Sequence, residues 1–581
     1  MKSYLTLTAI FGFAALSPSS INAQVFTEVI RVGDLVPGAV NGELVTQFDN
    51  VDINNSGDWL IELNSSGDTD SDQFVLLNGN IIWREGTTIG FVPPAGMEAG
   101  SFVDVMDIND NGDILLTSGI RPVGTSGAPT RALIWNGVTV LQEEVSVSTA
   151  AGLPAGSVYR DIEEVWQNNN GRLLLTGSVD TGATDLEVLI SIDLDPSGAI
   201  LNEVLIAAEG MTLPGPHHSS PIDGFTTSKA GQAINDSGEI LWFADDDQST
   251  GGATSDDDTH LYIRDAASSN TLLYTEADPF PTDPAQDFAN LESADVDFNN
   301  NGDFVFSGGD SGPFANNLWL FTSINGNISV LAAEGQPAPP SVPGNWDAQS
   351  FGGRVQMSNG GDVLWLLNWD DPDTSTDSGL IFNDQLMVQE GVTVLGGGVV
   401  TLLPILDVQS AMNDAGTLAI LDVVINTGTS TGAVFIMDLE NSIGDSFCGP
   451  AVPNSSGAST TLSAVGSSIA AVNDVTLNVT GLPLNQFGFF INSQMPGFVP
   501  NPNNSQGNLC LVGNLGRYNT QVFGSGMTGT ASLTLDLTNT PQANGPVAIL
   551  AGQTWFFQAW HRDSNPQLTS NFSQGLSILF Q

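Results

Sequence analysis

The chain has 581 residues, 65 of them Asp or Glu against 12 Lys or Arg, for a formal net charge of −53 at pH 7. That balance excludes nucleic acid and anionic membrane surfaces as partners, since affinity for either needs Lys and Arg. Hydrophobic residues make up 41%, which excludes a disordered acidic tail and supplies cores for at least two domains.

The first predicted element is an export leader over residues 1–23. Lys2 supplies the positive charge, Leu5 to Leu16 the short apolar run, and Ile21-Asn22-Ala23 the small-residue cleavage site. The mature chain is expected to start near Gln24 and to be secreted, either extracellular or at the cell surface. No later apolar stretch approaches the length of a membrane span, so no transmembrane segment is expected in the mature chain.

From there the chain repeats itself. Asn, two residues, then Gly before an apolar run occurs at Asn54–Gly57, Asn109–Gly112, Asn168–Gly171, Asn235–Gly238, Asn299–Gly302 and Asn413–Gly416. A seventh copy, Ser358–Gly361, has Ser in the Asn place. A second motif keeps step: a short strand ending in Glu-Gly, as at Glu85-Gly86, Glu209-Gly210, Glu334-Gly335 and Glu390-Gly391, with weaker forms at Asp34, Glu143 and Glu276. Asn and Gly both accept left-handed backbone, so Asn-x-x-Gly reads as a tight hairpin turn. The recurring Glu reads as structural, fixing a turn or bonding a neighbouring repeat's backbone.

Each repeat reads as four short strands. In the fifth they are expected at Thr271 to Thr275, Ala294 to Phe298, Asp303 to Ser307 and Leu318 to Thr322, with the Asn turn between the second and third. Seven four-stranded units predict an all-β fold, a seven-bladed β-propeller over 24–443. An open solenoid would use shorter repeats. The strand around Val25 to Val32 is a candidate latch onto the seventh unit. Trp242-Phe243 and Trp319–Phe321 read as core between strands.

The last section, 444–581, carries alternating runs such as Ser532 to Leu537 and predicts a C-terminal β-sandwich. Its Cys448 and Cys510 are the chain's two cysteines, and in an exported protein a lone pair reads as a disulfide.

The Asn-x-x-Gly units resemble the bacterial tandem-repeat proteins named for an NxxGxxxF pattern, the choice-of-anchor type. The match runs over Asn54 to Ile61, Asn109 to Leu116, Asn168 to Leu175, Asn235 to Trp242, Asn299 to Phe306 and Asn413 to Ile420, with Phe in the last place only in the fifth. This resemblance implies export and a surface or extracellular role, with no reaction attached. Phe447-Cys448, Asn508 to Leu511, Arg517 and Trp555 to Asp563 resemble a C-terminal domain of other secreted bacterial proteins.

Acidic loops cluster at Ser66 to Asp72, Asp245 to Asp258 and Asp370 to Asp377, and are expected between the third and fourth strands, on the face opposite the Asn turns. This variable face is the candidate binding surface. Asp245, Asp246, Asp247, Asp256, Asp257 and Asp258 are the candidate calcium ligands. Asp107-x-Asn109-x-Asn111-Gly112 and Asp297-x-Asn299-x-Asn301-Gly302 match the front of a calcium loop, yet their ninth and twelfth positions carry no carboxylate, so both read as hairpins. Gly309 to Pro313 resembles a serine-protease nucleophile segment without a matching His, and His217-His218 would point to opposite faces of an extended segment.

No catalytic constellation stands out and no cofactor is required, with calcium as the one candidate ion. A non-enzymatic binding or surface-architecture protein is expected, monomeric, with extracellular polysaccharide or a surface protein as partner. The alternative is an extracellular glycan-active hydrolase or lyase using carboxylates in the propeller channel, which would need carboxylates converging in a pocket with one shifted pKa.

Overall fold

The computed structural model describes residues 26–581 except 91, 127–129, 214–218, 226–230, 250, 255–256, 267, 282–285, 292–294, 311–317, 338–343, 348–354, 384, 404–408, 440–442, 449–450, 458, 467, 469, 471–472, 474, 527–528, 565–567 and 581. The expected leader, 1–23, therefore lies outside the described residues. The described regular structure is all β apart from one 3-10 turn at Pro502–Asn504. No helix among the described residues is long and apolar enough to cross a membrane. The chain divides into two compact units, Gln24–Glu440 and Asn441–Gln581.

Among the described residues the first unit holds seven antiparallel sheets. The first sheet is a meander of Val45–Ile53, Trp59–Ser65, Gln73–Leu77 and Asn80–Arg84, and the next five follow the same plan. Its first two strands are joined by the Asn54–Gly57 turn. Its last two are joined by Asn78-Gly79, with φ of 48° and 78°. Positive φ at both turn residues is the hairpin geometry that matches the right-handed twist of the strands, and only Asn, Asp and Gly adopt it cheaply. Asn136-Gly137 and Asn325-Gly326 repeat it in the second and fifth sheets.

These hairpins correct the expected phase. In the fifth sheet the strands are Phe288–Asn290 with Val296–Phe298, then Phe304–Asp310, Leu318–Ile324 and Asn327–Ala333. The strand Asn270–Thr275 pairs instead with Thr259–Arg264, as the outer strand of the fourth sheet. The Asn turn thus joins the first and second strands, and the acidic loops lie between the second and third. The two still sit at opposite ends, because Trp59–Ser65 starts at the Asn turn and ends at the acidic loop.

Strands bury both faces. In Ile240–Asp246, Leu241 and Phe243 enter one apolar cluster while Trp242 and Ala244 enter another, the period-two alternation of a strand set between two cores. Seven clusters of this kind join consecutive sheets. One of them packs Ala411, Ile420 and Val434 of the seventh sheet against Val51, Ile61 and Phe74 of the first, so the cycle closes. The expected latch forms: Phe26–Arg31 pairs antiparallel with Ser430–Asp438 as the outermost strand of the seventh sheet.

In the second unit, a seven-stranded sheet contains Phe487–Ser493 and Thr554–Ser564, and a three-stranded sheet contains Thr461–Gly466 and Val475–Thr480. Leu477 and Val479 of the smaller sheet share one core with Phe490, Trp555 and Phe557 of the larger. A two-stranded ribbon, Met495–Val499 with Leu509–Val512, brings Leu511 against Ile491 and Phe572. Cys448 and Cys510 form a disulfide across 62 residues, with Cα atoms 6.2 Å apart.

Candidate functional site

The seven Asn turns meet around a central cavity of about 130 Å³ lined by residues from every sheet of the first unit. Its wall is a lattice of bonds between consecutive units. Five of the six motif Asn residues work twice, whereas Asn413 Nδ2 donates within its own turn to Thr417 Oγ1. The Oδ1 of Asn168 accepts the backbone N–H groups of Asn170 and Arg172, both at 3.0 Å, which shapes its own turn. Its Nδ2 donates to the Asn235 carbonyl at 2.9 Å, which ties that turn to the next. Asn54, Asn109, Asn235 and Asn299 donate forward in the same way. Asn is required because Asp cannot donate. Ser358 keeps the accepting half, from Gly360 and Asp362 N–H.

One residue further on lies a second ring: Asn55, Asp110, Asn169, Asp236, Asn300, Asn359 and Asp414. The N–H of Asn55 donates to Asp110 Oδ1, that of Asp110 to Asn169 Oδ1, and so on through Asn169, Asp236 and Asn300. At the end the pattern shifts. Asn359 N–H donates to the Asp414 backbone carbonyl at 2.6 Å, and Ala415 N–H reaches Asn55 Oδ1 at 2.7 Å. The Asp side chains are held by Asn amides, as Asn169 Nδ2 and Asn300 Nδ2 both hold Asp236 Oδ2 at 3.0 and 2.8 Å.

Two positions before the motif Asn, Asp52 and Asp297 each accept the next unit's backbone N–H, Ile108 and Met357, at 2.7 Å. Asp107 accepts from Gln167 Nε2 at 3.1 Å. The two segments that match the front of a calcium loop are hairpins whose first Asp is part of this lattice.

Asp414 is the exception. Among the described residues no donor reaches its carboxylate, which faces the cavity and is open to solvent there. Enclosure by the surrounding turns first, and the carboxylates of Asp110, Asp297, Asp236 and Asp107 second, push its pKa up to about 7. Midway along strands of the first and seventh sheets is a second acidic group. Burial pushes Glu62, bonded by Asn50 Nδ2, up to about 8, and burial with Asp49 nearby pushes Asp422 up to about 7. Arg131 holds Asp104 and Asp161, each at 2.6 Å.

The recurring Glu binds backbone. Glu143 accepts Arg131 N–H at 2.7 Å and, from the next unit, Ile162 N–H at 2.9 Å; Glu276 likewise accepts Thr259 and Leu291 N–H. Trp242, Phe243 and Phe321 are fully buried core.

Five of the six candidate calcium ligands have a local partner. Asp246 lies 3.3 Å from the buried His260 Nε2, Asp245 accepts Thr259 Oγ1 at 2.8 Å, and Asp247 accepts Ser249 N–H at 2.7 Å. Asp257 accepts Thr254 N–H at 2.7 Å, and Asp258 accepts Gln248 Nε2. Asp256 lies outside the described residues, as do His217, His218 and Ser311 to Pro313. Among the described residues no three His, Cys, Asp or Glu side chains are grouped to hold a metal ion. Sequence reasoning looked to the acidic loops and missed the cavity at the uniform end. The signal was present in the residue after each motif Asn, which is Asn or Asp in all seven copies.

No curated protein matches the chain. Solved structures align with it over long spans at low similarity. The β-propeller domain of the Trilobed protease from Pyrococcus furiosus aligns at 8% identity and a TM-score of 0.31, over 68% of this chain and 88% of that one. The polysaccharide lyase Uly1 aligns at 10% and 0.35, over 72% and 100%. Trypanosoma rangeli sialidase aligns at 10% and 0.26, over 97% and 93%. A family model matches residues 20–396 and again 234–476, and the chain belongs to that family of unknown function, DUF7453.

Proposed function

We propose that the protein is an exported, non-enzymatic binding or surface-architecture protein: a seven-bladed β-propeller closed by its N-terminal strand, followed by a C-terminal β-sandwich. Supporting the fold are seven sheets in a closed cycle and two sheets sharing one core in the second unit. The observation that carries the function is the use made of the axial carboxylates. Asp52, Asp110, Asp236 and Asp297 accept hydrogen bonds from neighbouring units, which commits them to holding the ring. Asp414, its pKa raised to about 7, accepts no hydrogen bond among the described residues, and the neighbouring axial carboxylates are already engaged, which supports a structural rather than an acid–base role for the cavity. Its volume of about 130 Å³ is also below the roughly 300 Å³ at which ligand pockets begin. The turn end is then a structural hub, and the long acidic loops at the opposite end form the binding surface.

The test is incubation of the purified protein with a panel of extracellular polysaccharides, with and without calcium. Retention of a polymer without shortening supports the reading, and dependence on calcium assigns the acidic loops. Shortening of any glycan, abolished by Asp414→Asn, replaces it with the channel hydrolase or lyase.

A further inference from the structure

The two units differ sharply in charge. Residues 441–581 contain four Asp, no Glu, two Arg and no Lys, so almost all of the net charge of −53 belongs to the chain before them. Both Arg lie on one face of the larger sheet. Side chains directly opposite in an antiparallel pair share a face. Phe489 pairs with Trp560 and Ile491 with Arg517, while Arg562 lies two residues beyond Trp560 and so returns to the same side. Phe487, 48% exposed, completes the face from the neighbouring strand.

The three rings form a stepped cluster: Phe489 and Trp560 have centroids 4.9 Å apart and tilt by 35°, and Phe487 meets Trp560 edge to face at 6.2 Å and 62°. The Arg562 guanidinium carbon lies 5.7 Å from the Phe487 ring and 5.5 Å from the Trp560 ring. Neither Arg562 nor Arg517 has a carboxylate partner among the described residues, although six of the Arg residues of the first unit do. Asp563, next in sequence to Arg562, is fully buried. Strand spacing and rise put the two Arg Cα atoms about 16 Å apart, with the rings between them.

We infer that this face binds a uronate-bearing polysaccharide strand. The pyranose rings pack against the exposed parts of Phe487, Phe489 and Trp560, rigid side chains that offer apolar contact at low entropic cost. Arg517 and Arg562 each grip a carboxylate, the planar partner a guanidinium matches with two parallel bonds. A cation merely capping two rings would explain Arg562 but leave Arg517, at the far end of the same face, without a role. The site goes beyond the function proposed above and uses no residue of the first unit.

The test is affinity electrophoresis and calorimetry of the full chain against alginate, dextran sulfate and neutral dextran. Salt is held at 0.15 M, where the field of the acidic unit is screened within about 8 Å. Alginate should bind and dextran should not. Arg517→Gln and Arg562→Gln should each weaken alginate binding about tenfold or more, as loss of a charge-assisted pair predicts, and Phe487→Ser should weaken it several-fold. All three sites are exposed or partly exposed, so melting curves should match wild type. Failure of the wild type to bind alginate, unchanged binding by the double Arg variant, or equal binding of dextran would each overturn the inference. Equal binding of dextran sulfate would assign the face to charge alone and overturn the uronate. None of these results bears on whether the first unit binds at its acidic loops.

Discussion

Replacing Asn168 separates the two tasks of the motif Asn. Ser keeps the acceptor, as Ser358 does with Gly360 and Asp362 N–H at 3.1 and 3.0 Å, but loses the donor to the Asn235 carbonyl at 2.9 Å. That carbonyl keeps a second bond, from Gly238 N–H at 2.9 Å, so it is not orphaned. The loss is one net hydrogen bond, about 1 kcal/mol. Asn168→Ala also strips the acceptor from two turn N–H groups, those of Asn170 and Arg172, and should cost about 3 kcal/mol in total. Asn168→Asp keeps the acceptor, loses the donor and places a carboxylate at a site 5% exposed, so it should cost more than Ser. Urea unfolding of the three variants, followed by tryptophan fluorescence, reads the order Ser, then Asp and Ala. Equal losses for Ser and Ala, or none for Ser, would refute the division of labour and leave the inter-unit bond with no energetic role.

Four further outcomes are expected. Asp414 has its folded pKa raised to about 7 from 3.8, so its contribution to stability is fully present below about pH 4 and is lost as pH rises through 7; Asp414→Asn should melt higher than wild type at pH 8.5, with the gap narrowing by pH 5 and closing below pH 4. Asn300→Asp removes the amide that holds Asp236 at 2.8 Å and sets a carboxylate beside it, so it should lower the melting point more at pH 8 than at pH 5. Reduction of Cys448–Cys510, which closes 62 residues, should weaken the second unit by roughly 4 kcal/mol, seen as a lower melting point in dithiothreitol. Deletion of residues 24–32 exposes the edge of Ser430–Asp438 and should turn a cooperative melt into aggregation, checked by light scattering.

Number and spacing of units were legible because every unit needs the same left-handed turn at the same place, and only Asn and Gly supply it. The phase was not read correctly, although its signal was equally local. Asn78-Gly79, Asn136-Gly137 and Asn325-Gly326 mark hairpins that bind each Glu-Gly strand to the sheet before it; counting units from the Glu-Gly strand cut through them. The latch strand could be named because it precedes the first repeat, yet only pairing of Phe26–Arg31 with Ser430–Asp438 reveals its place. The acidic loops drew attention by charge, but Asp245, Asp246, Asp247, Asp257 and Asp258 each find a separate neighbour. Convergence depends on where side chains point, which composition does not encode.

The ring of Asn55, Asp110, Asn169, Asp236, Asn300, Asn359 and Asp414 shows why the axial cavity is acidic without being unstable. Every place but the last supplies a side-chain oxygen for a neighbour's N–H, and either Asn or Asp can do so. An Asp also needs donors, which a neighbouring Asn amide provides and a second Asp would not. In a closed ring of seven, three is the largest number of Asp that avoids two standing side by side, and three are present. The odd number of units forces one Asn-Asn step, at Asn300–Asn359, where Asn300 N–H still finds Asn359 Oδ1 at 2.9 Å. Asp414 also stands between two Asn, but the shifted bonding at the closing step leaves its carboxylate without their amides. Enclosure, and then the other axial carboxylates, raise the pKa of Asp414, with no neighbouring amide to offset them.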